Sequence, residues 1–208
     1  MRAWCWPPNR YGIPWSELTE GWPARPCGFG ITQDGRVLVS AEKDSDRDSD
    51  RDKELYRTQV SYPHVVGKLS KVTWTGENPQ NPGEIAGWSQ GRAVVVDGGQ
   101  LVLIEPDGEH YRMVWRIAGW GDAPKQRFGS EVHIAASGDM LLVSDTARHR
   151  VLLFHLPDRT PVGQLGTVDT PGTAAHQVNG PAHIAANGLR LAIAYRGNQR
   201  ILRCDLKP

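Results

Sequence analysis

Several features that define common protein classes are scarce or missing in this 208-residue sequence. Its three cysteines, Cys5, Cys27 and Cys204, show no CxxC spacing, which argues against a zinc knuckle and a dense disulfide framework. No apolar run approaches the roughly 20 residues of a membrane span, and the first residues lack the apolar segment of a secretory signal. We therefore expect a soluble chain with no membrane partner, cytoplasmic as written, although the compartment itself stays unknown.

The charge balance and the missing motifs exclude further classes. Lys and Arg number 24 against 23 Asp and Glu, so the formal net charge of +1 argues against a nucleic acid as the partner. The sequence contains no GxSxG, HExxH, GxxxxGKS or GxGxxG pattern. Nucleophilic and phosphate-handling chemistry therefore has no support in the sequence.

The abundant residues point to a fold of short strands. Glycine (23), proline (15) and tryptophan (8) are common, and long helix-forming runs are absent. This composition is typical of an all-β chain with tight turns. A chain of this length can form one domain, since single all-β domains often reach about 200 to 250 residues.

A repeat runs along the chain. A turn glycine precedes an apolar strand four times, at Gly35, Gly91, Gly138 and Gly188. These glycines are 56, 47 and 50 residues apart, and the longest gap contains the additional segment DSDRDSDRD (44–52). Each unit contains a short strand, the glycine turn, an apolar strand, a polar tip and another apolar strand. Units of this size predict the four-stranded blades of a β-propeller.

We predict about four four-stranded blades, which stack face to face and form either a complete or a partial ring. Residues 1–27 form an N-terminal segment that could supply a ring-closing strand. The blades are predicted at 28–83, 84–130, 131–180 and 181–208. An incomplete ring would make a homo-oligomer possible.

One unit resembles a known family. The segment FGSEVHIAASGDMLLVSDTARHRVLLF (128–154) is similar to an NHL repeat, with its Ile-Ala strand, glycine turn, Asp-Thr strand end and His-Arg-Val tip. The unit at 178–206 departs by having Tyr195 in place of the aspartate. The resemblance implies a β-propeller, usually of six blades, and some NHL-like lyases bind zinc through channel histidines.

Three residues occupy the same place in successive units and are candidate metal ligands. Directly before the strand isoleucines Ile85, Ile134 and Ile184 stand Glu84, His133 and His183. The first strand of a blade lies nearest the axis, so equivalent positions are expected at one height around the channel. Adjacent blades place such positions side by side, so we expect the two histidines to contact each other more readily than either contacts Glu84. A carboxylate and two imidazoles suit a divalent metal such as zinc or calcium. The alternative is a polar channel lining bonded to water and backbone.

The acidic insertion is a weaker candidate. Its Asp44, Asp46 and Asp48 alternate as in a calcium loop, but the glycine of the sixth position is missing and Leu55 stands at the twelfth. Arg47 and Arg51 neutralise part of the acidic charge. We interpret this segment as a solvated insertion at a blade tip.

Arginines recur at the tips of the later units and are candidate ligand-surface residues. They could form a recognition stripe for an acidic peptide or RNA, or they could be solvated side chains of hairpins. The four at equivalent tips are Arg148, Arg150, Arg196 and Arg200.

These observations favour a noncatalytic interaction domain that presents loops and a channel mouth to a protein or small ligand. One alternative is a metal-dependent propeller enzyme, a lyase or a lactonase-like hydrolase, with its site at the central channel. A further alternative is an RNA-binding propeller. The sequence identifies no catalytic residues and leaves the question of enzymatic activity open, with more weight on a noncatalytic role.

Overall fold

The computed structural model describes residues 25–42, 53–59, 70–174 and 176–205. These residues form fifteen β-strands in four antiparallel sheets, with three short 3-10 turns. No helix among them is long and apolar enough to cross a membrane. The predicted all-β class is confirmed.

Each sheet is built from strands that follow one another along the chain. Blade one contains β1 (Arg25–Ile31), β2 (Arg36–Glu42), β3 (Lys53–Gln59) and β4 (Ser70–Lys71). Blade two contains β5 (Pro82–Gly87), β6 (Ala93–Asp97), β7 (Gln100–Asp107) and β8 (His110–Ile117). Blade three contains β9 (Val132–Ser137), β10 (Met140–Asp145), β11 (Arg150–His155) and β12 (Thr160–Leu165). Blade four contains β13 (Pro181–Asn187), β14 (Arg190–Tyr195) and β15 (Arg200–Asp205).

The four sheets form a four-bladed β-propeller. The first strands of successive blades, β1, β5, β9 and β13, lie side by side in chain order. Clusters of buried apolar side chains join blade one to blade two, blade two to blade three, and blade three to blade four. Each sheet therefore buries a face against a neighbouring blade, which a single sheet in water could not do.

Blade three shows how the repeat produces a hairpin. Gly138 has a φ of 58°, and the backbone of this turn leads from β9 into β10. In β10 the apolar residues pair with both neighbours, so that Val143 lies opposite Ile134 and Leu152. The polar tip after β10 forms a 3-10 turn at Thr146–Arg148, closed by His149 in the left-handed conformation.

Two strands of blade one were not predicted. β3 has the sequence KELYRTQ, whose charged residues hide the apolar alternation of a strand, and β4 has only two residues. β1 begins at Arg25 and not at the predicted 28. The proposed ring-closing role of residues 1–24 and the insertion at 44–52 lie outside the described residues.

Candidate metal centre

The three candidate ligands lie on the innermost strands of three consecutive blades. Glu84 lies on β5, His133 on β9 and His183 on β13. The strand pairing is irregular between Pro82 and Ile85 in β5, and between Pro181 and His183 in β13. Such irregularities re-aim side chains out of the regular alternation of a strand.

The structure brings one potential ligand atom from each residue to within 4.8 Å of the others. Nδ1 of His133 is 2.5 Å from Oε1 of Glu84, and Nδ1 of His183 is 3.7 Å from the same oxygen. The two imidazole rings have centroids 4.5 Å apart and are tilted by 56°. We expected the two histidines to contact each other more readily than either contacts Glu84. This expectation is wrong for His133, whose Nδ1 contacts Glu84 directly.

The Glu84 carboxylate is fixed from a second direction. Its Oε2 accepts a hydrogen bond of 3.0 Å from the backbone N–H of Ile134. One oxygen therefore anchors the side chain to β9, while the other faces the two histidines. A cation could therefore bind Oε1 if it displaced the proton that Oε1 shares with Nδ1 of His133.

Blade one contributes backbone and no ligand at the equivalent position. Gly30 stands there, and a Cβ on it would lie 2.8 Å from Cγ2 of Ile85 and 2.9 Å from its carbonyl oxygen. A side chain at this position would collide with β5, so close packing of the first two blades requires glycine. The ligand set therefore comes from blades two, three and four.

His133 is the most enclosed member of the cluster. Its side chain is 15% exposed, against 70% for that of His183. The hydrogen bond with the Glu84 carboxylate raises the pKa of His133 above its usual 6.5, although burial acts in the opposite direction. Its Nε2 lies 3.4 Å from Oε1 of Glu131. A metal ion bound at Nδ1 would have to replace the proton there.

The residues fit a zinc ion. Two imidazole nitrogens and one carboxylate oxygen are ligands that zinc takes, and ligand atoms around a tetrahedral zinc lie about 3.3 Å apart. Two of the atoms already approach more closely than this, and Nδ1 of the exposed His183 side chain lies 3.7 Å from Oε1 of Glu84. Three protein ligands leave a fourth coordination position open.

The four predicted ligand-surface arginines do not share one environment. Arg148 pairs with Asp169, Arg196 pairs with Glu131, and the Arg200 guanidinium lies 5.5 Å from the Tyr195 ring centroid. Arg150 is fully buried, so its prediction as a surface residue is wrong. Its guanidinium pairs with the buried Asp145 and donates to the backbone carbonyls of Lys125 and Arg127.

The sequence analysis did not identify Glu131 as a residue of the site, although its position in the sequence indicates it. It stands two residues before His133, and alternate residues of an extended chain project to the same side. Its partner Arg196 is 65 residues away, and only the tertiary structure brings the two together.

The fold and the cluster define a β-propeller with a candidate metal site on its inner strands. No protein-family model matches the chain, so the likeness to NHL repeats stays a prediction, and no curated protein matches it. Solved structures do match in fold. The structure of apo AztD from Citrobacter koseri has a TM-score of 0.53 and 11% identity over 88% of this chain. A crystal structure of C. koseri AztD has a TM-score of 0.52 and 10% identity over 86% of it.

The chain spans less than half the length of these structures, 44% of the first and 43% of the second. At such low identity the likeness shows the fold alone.

Proposed function

We propose that this protein is a noncatalytic β-propeller that binds a divalent metal ion, zinc in preference to others, through Glu84, His133 and His183. The observation that carries the proposal is the convergence of one ligand atom from each of three blades to within 4.8 Å. The residues are far apart in the sequence, and they meet because they hold equivalent places in a repeat. The small ligand expected at the channel mouth is then the ion itself.

The donor set favours zinc over calcium. Calcium takes six to eight oxygen ligands. The cluster offers one carboxylate and two imidazoles, which suit zinc and other borderline metals. The ligand set would be completed by a water molecule or by a group from a partner that exchanges the ion.

The open fourth position favours a second candidate function, a metal-dependent lyase or hydrolase, because catalytic zinc sites usually keep such a position. A general base would have to be close by. In the part of the chain that the structure describes, Glu131 is a further carboxylate in contact with His133, and hydrogen bonding from Arg196 lowers its pKa below the usual 4.5. Because both Glu131 oxygens already accept hydrogen bonds from Arg196, this carboxylate is a poor candidate for the base, and we favour the noncatalytic role.

The experiment is a zinc titration with metal analysis of the dialysed protein. Wild type should bind one ion per chain, and the His133→Ala and His183→Ala variants should lose it. His155→Ala is a matched control, because His155 pairs with Asp158 on blade three, away from the cluster. If both cluster variants keep the wild-type metal content, the proposal is wrong. Turnover of lactone substrates by the zinc-loaded wild type would favour the enzyme.

A further inference from the structure

An ion pair lies directly behind the candidate metal centre. Arg196 donates from Nη2 to Oε1 of Glu131 at 2.5 Å and from Nη1 to Oε2 at 3.3 Å. The same Oε1 faces Nε2 of His133 at 3.4 Å. A continuous chain therefore runs from Arg196 through Glu131 and the His133 ring to Glu84.

We propose that Glu131, held by Arg196, is a positioning residue that orients His133 for metal binding, an inference that rests on the proposed metal site. When Nδ1 of His133 faces the ion beside Glu84, Nε2 carries the remaining proton and donates it to Glu131. A carboxylate behind a ligating imidazole fixes the tautomer and the ring orientation and strengthens the ligand.

The backbone of both residues is anchored, which gives the pair a defined place. The carbonyl of Glu131 accepts from the N–H of Thr146 at 3.0 Å, and the N–H of Arg196 donates to the carbonyl of Gly180 at 2.8 Å. Glu131 precedes β9 and Arg196 follows β14. The ion pair thus connects blades three and four, the blades that carry the two histidines.

Glu131 is not part of the candidate ligand set, because it lies on the Nε2 side of the His133 ring, whereas Nδ1 faces Glu84. Both of its carboxylate oxygens accept hydrogen bonds from the guanidinium of Arg196, which keeps the negative charge paired. The charge of Glu131 therefore acts on the imidazole and not on the ion. The fourth coordination position stays free for an exchanging group.

Because the ion pair is partly exposed, its effect on metal affinity can be measured separately from its effect on stability. The Arg196 side chain is 63% exposed and that of Glu131 is 38% exposed. Exposed ion pairs contribute little to stability. Removing Glu131 should therefore change metal affinity without a comparable change in the melting temperature of the metal-free protein.

The test measures zinc affinity by competition with a chromophoric chelator. Glu131→Ala should bind zinc about 10- to 100-fold more weakly than wild type, the usual effect of losing an outer partner of a ligating histidine. Glu131→Gln should recover most of the affinity, because its amide oxygen still accepts from Nε2–H. Glu109→Ala is the matched control, since Glu109 also pairs with an arginine, Arg57, outside the cluster, and its affinity should not change.

A second measurement reports on the site itself. The visible absorption of bound Co²⁺ should differ between Glu131→Ala and wild type, because the ring orientation changes, and should be unchanged in Glu109→Ala. Wild-type affinity and spectrum in Glu131→Ala would overturn the inference and leave the metal site standing. Loss of affinity in parallel with thermal stability, without recovery in Glu131→Gln, would also overturn it.

Two further outcomes are decisive. If Glu131→Ala does not fold, Arg196→Gln replaces it: a loss of zinc affinity supports the inference, and wild-type affinity overturns it. If wild type itself binds no zinc, the proposed function fails and the positioning role fails with it.

Discussion

Two clusters of charged and polar side chains include residues of blade three. They differ in burial and in whether a ligand could reach their polar atoms. Asp145 and Arg150 are both fully buried, and Nε and Nη2 of the arginine donate to one carboxylate oxygen at 2.9 and 2.8 Å. The other oxygen, Oδ1, accepts from the N–H of Gly129 at 3.0 Å. The Arg150 guanidinium also lies 4.4 Å from the Trp120 ring centroid. This cluster is closed to any ligand.

The cluster of Glu84, His133 and His183 is the opposite case. Its side chains are partly exposed, two imidazoles lie next to each other, and a single carboxylate oxygen serves both. Removing one partner of a buried ion pair is costly, because the other charge is left unpaired away from water, whereas convergent and partly exposed ligand atoms can take an ion that displaces a proton. Buried charge alone therefore does not indicate a functional site, and the proposed metal site rests on the convergence of potential ligand atoms instead.

The largest expected effect comes from breaking the closed cluster. Arg150→Met removes the partner of a buried carboxylate and should lower the free energy of unfolding by about 3–5 kcal/mol. Urea denaturation measures the change. Arg148→Met is the control, because Arg148 forms a more exposed pair with Asp169 and should lose about 1 kcal/mol or less. Equal losses in the two variants would contradict the structural role of Arg150.

The next effect concerns the open cluster and changes binding more than stability. His133→Ala should lower zinc affinity by more than the roughly 100-fold upper effect of an outer partner, because a ligand itself is lost. Its free energy of unfolding should change less than that of Arg150→Met. Zinc titration and urea denaturation of the same samples test both statements. A large loss of stability in His133→Ala together with wild-type zinc affinity of its folded fraction would contradict this prediction.

A change of pH should also act on the open cluster. His133 has a pKa above 6.5, so its charged form stabilises the fold fully below pH 6.5, and this contribution is lost as pH rises through the raised pKa. Zinc must displace the Nδ1 proton, so its affinity should increase with pH across the same range. Titrations between pH 6 and 8.5, with release of protons measured by calorimetry in two buffers, test this. A pH-independent affinity would contradict it.

The smallest effect is expected at an arginine outside both clusters. Arg200 lies over the Tyr195 ring and donates to the carbonyl of Thr173 at 3.2 Å. Arg200→Ala should cost about 0.5–1 kcal/mol of stability, as exposed cation–π contacts do. Its zinc affinity should stay at the wild-type value. A large loss of zinc affinity would place Arg200 in the metal site, contrary to the geometry.

The sequence predicted the parts of the fold that depend on local chemistry. Turn glycines such as Gly138 recur at a spacing of about fifty residues, and the apolar strands after them read as blade strands, as the structure confirms. β3 was not predicted because its sequence, KELYRTQ, gives a weak signal: among the side chains described at 53–57, only that of Leu55 is buried. A strand that buries little apolar surface has a weak periodic signal.

The convergence of Glu84, His133 and His183 could be predicted from the sequence for a physical reason. Equivalent positions of a repeat occupy equivalent places around an axis, so position in the repeat stands in for position in space. Only the tertiary structure decided that Arg150 is buried and that Glu131 and Arg196 meet behind His133. The sequence shows which residues carry charge. Which of them are buried and which form ion pairs depends on packing between blades, because partners such as Glu131 and Arg196 are 65 residues apart in the chain.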